Sequence, residues 1–323
     1  MRIGCGLILQ ATPQLSNDFL RFKPENCRWT SSCGLTTRSH RRYTVAVKEK
    51  LDQPLPTFSG LVYRCRSVQR LLPLYRDLLG IPETEPGTLT AVDREFTLRF
   101  VEDPAASVAV RPDAGLYHAA FLLPDRSALA AVVRRLLKTA ESHAEDGSRI
   151  PFRFEGGADH LVSEAVYLRD AENNGVELYA DRDSTQWQWD TKTGTVAMTT
   201  EPLDFPGLLA QSDREAPLPP GSVIGHLHLH VPNLDRAESV YREKLGMTVT
   251  HRDYPGMRFL AWGRYHHHLA INTFGQRDPA ANSVTAEQSA ADQTTGLMQA
   301  DVRLPHGAPL DFRDPAGVLW HSG

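Results

Sequence analysis

Paired cysteines are missing from most of this chain. Four cysteines are spread over 323 residues, three of them (Cys5, Cys27, Cys33) in the first fifty and only Cys65 beyond. The body therefore has no disulfide framework, and the expected compartment is a reducing one, the cytoplasm. A basic excess is also missing. The 35 Lys+Arg against 39 Asp+Glu give a net charge of −4, which argues against a nucleic-acid partner. No apolar run approaches the roughly 18 residues that a membrane span needs. Glycine and proline, at 23 and 22, are near average, which excludes collagen-like and low-complexity chains. What remains is a globular protein long enough to bury a sizeable core in two ordinary domains.

Charge is unevenly spread. Residues 1–50 hold nine Lys/Arg and three Asp/Glu, a local excess of +6, leaving −10 for the rest. This segment shows no helical or strand period. Cys27, Cys33 and His40 fit no common zinc spacing, and the glycine-rich start is a poor signal-peptide core. An organelle-targeting leader is one reading. The favoured one is a disordered extension over 1–54, outside the fold.

The remainder repeats itself. Tyr75-Arg76-Asp77-Leu78-Leu79-Gly80 recurs as Tyr241-Arg242-Glu243-Lys244-Leu245-Gly246, and the stretch Gly115 to Pro124 recurs as Gly296 to Pro305. Asp170 to Leu178 echoes Asp314 to Trp320. Four units follow, roughly 57–110, 113–183, 221–275 and 294–323. Each opens with a strand, passes a helix and returns through strands. In the second unit, Asp125 is placed as a helix N-cap, and Leu129, Val132, Val133, Leu136 and Leu137 keep the i, i+3, i+4 rule. In the third, Asn233 opens a helix whose face is Ala237, Val240, Tyr241 and Leu245, with Gly246 as the stop. Strands are expected at 258–262 and 267–272. The fourth unit is too short for a full helix after Pro305. The expected fold is α+β: four βαβββ modules forming two half-closed barrels. The expected domains are 55–183 and 221–323, joined by a linker over 184–220.

Histidine carries the chemistry. His226, His228 and His230 alternate along one strand and so share one face. His266, His267 and His268 are consecutive and split between faces. His118 lies in the first strand of the second unit, and His160 follows Gly156-Gly157-Ala158-Asp159. Glu177 feeds a strand among apolar neighbours. A half-buried carboxylate needs a cation or a hydrogen-bond network. Imidazoles with one carboxylate suit a borderline divalent metal.

These stretches resemble the vicinal oxygen chelate superfamily, which includes glyoxalase I and the type I extradiol (catechol 2,3-) dioxygenases. They are Gly115 to His118, Asp159 to Ser163, Tyr167 to Glu177, Gly225 to His228, and Tyr265 to Ala270. The resemblance covers 57–323. It implies an extradiol ring-cleaving enzyme that acts on a small aromatic diol and O2. It also implies an Fe(II) ion, or alternatively Mn(II), held by His118, Glu177 and His226. Leu61, Gln299 and Leu319 stand where those three would repeat. Only one ligand set is then complete, and modules 2 and 3 must share one cup. The resemblance makes His267 the acid–base residue, Tyr167 a hydrogen-bond partner of the bound diol, and His160 its helper. It leaves open a glyoxalase-type isomerase or hydrolase, a small-aromatic binding protein, and assembly into a homo-oligomer. A local site on His226 and His228 is the lesser rival, because it leaves His118 and Glu177 unexplained.

Overall fold

The computed structural model describes residues 54–109, 114–274 and 294–322. The expected extension over 1–54, with Cys5, Cys27, Cys33 and His40, lies almost wholly outside the described residues. Cys65 is free and buried.

The first module runs β1 (Thr57–Cys65), a π-helical turn at Pro73–Leu78, then β2 (Glu83–Glu85), β3 (Thr88–Thr90) and β4 (Thr97–Glu102). The second has β5 (Gly115–Leu123), α1 (Arg126–Asp146), β6 (Phe152–Asp159), β7 (Ser163–Asp170) and β8 (Gly175–Asp181). After it come β9 (Glu201–Pro202) and a short α2 (Phe205–Leu209). The third module is β10 (Val223–His230), α3 (Leu234–Leu245), β11 (Thr248–His251), β12 (Met257–Ala261) and β13 (Leu269–Asn272). The fourth keeps β14 (Gly296–Arg303), one 3-10 turn at Pro305–Gly307, β15 (Leu310–Arg313) and β16 (Leu319–Ser322).

Local chemistry sets the helix ends. The Asp125 carboxylate accepts from Ala128 N at 2.8 Å, and the Asn233 side chain accepts from Arg236 N at 2.9 Å. Each satisfies a backbone donor that the first turn leaves open. Gly246 closes α3 with φ 65°, a conformation a side chain would resist. On α1 the residues Leu129, Val132, Val133 and Leu136 are buried, so the apolar stripe faces the core.

Two sheets result. One runs β15-β16-β14-β1-β4-β3-β2, so modules 4 and 1 share it. The other runs β11-β12-β13-β10-β5-β8-β7-β6-β9, so modules 3 and 2 share it. In each sheet the first strands of the two modules pair antiparallel, β1 with β14 and β5 with β10. The halves of the chain are thus interleaved. Alternation along the strands then sorts the side chains. Ala119, Phe121, Val176, Leu178, Leu227 and Leu229 join the main core, and their neighbours face the opposite side, into a cup.

Leu61, expected to repeat the place of His226, turns into that core instead, with 1% exposure. β1 carries the same register shift as β10, so Gly60 opposite Asp301 takes the place of His226 opposite Ala120, and Leu61 takes the place of the core residue Leu227.

Two buried hydrogen bonds tie one sheet to the other. Tyr75 of module 1 donates to Asp170 of module 2 at 3.0 Å, and Tyr241 of module 3 donates to Asp314 of module 4 at 2.7 Å. Each aspartate also accepts two backbone N–H groups of the turn that launches the last strand of its module. The repeated Tyr and Asp of the sequence are therefore partners. Burial pushes the Asp170 carboxyl up to about 6. It pushes Asp314 in the same direction.

Removing one tyrosine hydroxyl leaves a buried carboxylate short of a donor, at a cost of about 1.5–3 kcal/mol. Tyr75→Phe and Tyr241→Phe should each lower the unfolding free energy from urea titration by that amount, as a lower midpoint with an unchanged slope. The Asp170 pKa is raised on folding, so this group favours the fold most at low pH and that advantage is lost as pH rises through about 6. The Tyr75→Phe deficit should accordingly be larger above that pH than below it. A deficit near zero at both would show that the bond contributes nothing.

Candidate active site

The cup of the nine-stranded sheet holds all six side chains singled out from the sequence. The register sets a row across four strands: Tyr167 on β7 opposite Glu177 on β8, Glu177 opposite Ala120 on β5, and Ala120 opposite His226 on β10. His118, two residues before Ala120, shares its face and stands opposite His228. Ala120 thus separates Glu177 from His226, and its small side chain leaves the space between them open.

Three donors converge above it. Glu177 Oε2 lies 2.9 Å from His118 Nε2 and 3.2 Å from His226 Nε2. All three residues are buried, and their ligand atoms lie within 4.8 Å of one another. Two ligands about 2.1 Å from a common ion and at right angles stand about 3 Å apart. The spacing here matches that, and the donor set of two imidazoles and a carboxylate suits a divalent transition metal. These residues therefore fit a metal ion. Burial alone would push the Glu177 carboxyl up; the His226 and His118 rings outweigh it and hold the acid well below its usual range. Among the described residues no second group of three such donors forms.

A bulge shapes β10. Its pairing with β5 shifts register between Ile224 and His226. Gly225, in the gap, admits no side chain, because a Cβ there would lie 1.9 Å from the Tyr179 hydroxyl. The Tyr179 ring in turn packs 4.9 Å from the His226 ring.

The other predicted residues surround the trio. The His267 ring lies 4.3 Å from that of His226. Burial first, then the neighbouring histidines, push its pKa well down. His160 Nε2 lies 2.7 Å from the Tyr167 hydroxyl, and its Nδ1 lies 2.7 Å from the Thr199 carbonyl. Burial and the Glu177 carboxylate raise the Tyr167 pKa well above its usual value. His228 is outside the converging donors: its Nε2 is 2.6 Å from Asn272 Nδ2. His266 to His268 precede β13 rather than lying in it.

Sequence reasoning missed Asp181, Tyr179 and Asn272. Tyr179 and Asp181 obeyed the two-residue alternation that picked out the histidines, since 177, 179 and 181 share a face of β8. It also missed Thr199, which lies in the segment read as a linker and which no pattern marks.

No protein-family model matches the chain. The catechol-2,3-dioxygenase of Bacillus subtilis strain 168 is 37% identical over 267 residues, which cover 80% of this chain and 85% of that protein. This chain belongs to the dioxygenases of the vicinal oxygen chelate superfamily. Among solved structures, a glyoxalase I variant from Zea mays aligns over 83% of this chain and 93% of its own at 13% identity and TM-score 0.46. The 2,2',3-trihydroxybiphenyl 1,2-dioxygenase of Sphingomonas wittichii strain RW1 aligns over 84% and 90% at 17% identity and TM-score 0.30. Both likenesses are loose, and the assignment rests on the Bacillus relative. Within this superfamily the chain's two sheets, each built from two modules, form its two cups. No helix among the described residues is long and apolar enough to cross a membrane.

Because Gly225 clears the way for Tyr179, Gly225→Ala should displace the Tyr179 ring and with it His226. The expected result is loss of metal binding in a protein whose circular dichroism stays folded. Metal affinity equal to the parent's would show that the bulge does not place His226.

Proposed function

We propose that this protein is an extradiol ring-cleaving dioxygenase that acts on a catechol-like aromatic diol. In this reading His118, Glu177 and His226 hold a divalent iron, and Mn(II) is the alternative occupant. The observation that carries it is the convergence of three buried donors from the two halves of the chain to within 4.8 Å of one another. Two imidazoles and one carboxylate on one side of an ion leave its other positions free, the donor pattern of non-haem iron oxygenases. When bound, the iron supplies a template for the two diol oxygens and for O2, and a path for electrons between them.

The side chains then orient substrate and manage protons. His160 commits its Nδ1–H to the Thr199 carbonyl, so a neutral ring presents Nε2 as an acceptor. The Tyr167 hydroxyl donates to that nitrogen and keeps its oxygen free to accept from a hydroxyl of the diol. His267, across the cup, takes up a proton and returns it. A glyoxalase-type isomerase is less well supported, because three rather than four donors converge among the described residues. A buried free Cys65 agrees with a reducing, cytoplasmic setting.

Anaerobic loading with Fe(II), followed by a panel of substituted catechols, should give oxygen uptake and a yellow product at one iron per chain. Stoichiometric iron without oxygen uptake on any catechol would contradict the assignment and leave a binding protein. Separately, His118→Ala, Glu177→Ala and His226→Ala should each lose iron. His267→Phe should retain iron while turnover falls about 100-fold or more. Equal loss of iron and turnover in His267→Phe would make that residue a ligand or a packing group.

A further inference from the structure

A chain of hydrogen bonds reaches His267 from behind. Asp181 ends β8 on the face that carries Glu177, and its Oδ1 lies 2.9 Å from His266 Nε2. His266 Nδ1 lies 2.8 Å from His267 Nδ1. The other Asp181 oxygen accepts from the Tyr265 hydroxyl at 2.8 Å, and Tyr265 and Tyr179 share a hydroxyl contact at 2.9 Å. His266 is fully buried. The Thr250 hydroxyl holds its carbonyl at 2.5 Å, and the Trp187 and Tyr265 rings pack 5.1 and 4.1 Å away.

The direction of every bond in this chain follows from its far end. A carboxylate has no proton to give, so His266 Nε2 donates to Asp181. A neutral imidazole carries one N–H, so His266 Nδ1 is bare and accepts. The contact between the two Nδ1 atoms holds a single proton, which must belong to His267. His267 Nε2 is then the unprotonated nitrogen. The same logic fixes metal-ligand and catalytic histidines elsewhere: the bond made by one ring nitrogen decides what the other can do.

We propose that Asp181 and His266 are positioning residues that lock His267 in the Nδ1–H tautomer and leave its Nε2 bare as the proton acceptor of the cup. The tautomer follows from the geometry alone. Its use on a diol rests on the ring-cleavage reading above.

Nitrogen-15 NMR of histidine-labelled, metal-free protein tests the tautomer, with the His267 signals identified by difference against His267→Phe. The expected pattern is a protonated, pyrrole-type Nδ1 and an unprotonated, pyridine-type Nε2. The opposite pattern in the parent protein overturns the proposal. Asp181→Asn supplies the second arm. Its amide can give a proton to His266 Nε2 while its oxygen keeps the Tyr265 donor, which reverses the chain. His267 should then switch to the Nε2–H form. On the iron-loaded enzyme, kcat should fall about 10-fold or more with KM and iron content little changed, and Asp181→Glu should restore part of it. An unswitched tautomer in Asp181→Asn overturns the proposal. Should that variant fail to fold, the parent spectrum decides alone. A correct tautomer in an enzyme that cleaves no catechol would refute ring cleavage and leave the positioning intact.

Discussion

The antiparallel pairing of β5 with β10 is the constraint on which the rest depends. It joins residues more than a hundred positions apart into one sheet and puts His118, Ala120 and His226 on adjoining strands of one face. Glu177 joins them through the parallel pairing of β8 with β5. A slip of one residue in either ladder would turn its donors into the core. Register is held by what lies on the opposite face, where Phe121, Leu178, Leu227 and Leu229 are buried together. The chemistry of the cup is in this sense specified by the hydrophobic pattern behind it.

The same economy recurs between the sheets. Each buried aspartate folds the turn before the last strand of its module and accepts from a tyrosine on a helical segment of a module that builds the other sheet. That strand is β8 in one case, and β8 carries Glu177. A group that looks remote from the site thus sets the launch point of a site strand. Glycine 225 does similar service on β10, where the absence of a side chain allows Tyr179 to lie across the backbone.

Much of this was legible in the sequence because it repeats or alternates. The Tyr and Asp repeats mark the modules, since a buried hydrogen bond demands both partners. The helix caps were readable from single residues, Asp125 and Asn233, because capping is local. The alternation of His226, His228 and His230 was readable as one face. What remained hidden depends on contacts between distant segments. The place of His226 falls to Gly60 rather than Leu61 in the first module, a register that only the strand pairing shows. His266 to His268 lie before the strand, where two adjacent rings can bond to each other. Thr199 reaches His160 from a segment with no period, and β9 adds an edge strand to the sheet in the same stretch.

The central claim is spatial: one ion, held by side chains of both halves of the chain, at a point the β5–β10 pairing creates. The most direct measurement is a crystal structure of the iron-loaded protein with anomalous diffraction at the iron edge. The account predicts a single anomalous peak within bonding distance of His118, Glu177 and His226. A peak at His228, or at any place out of reach of one of those three, would contradict it.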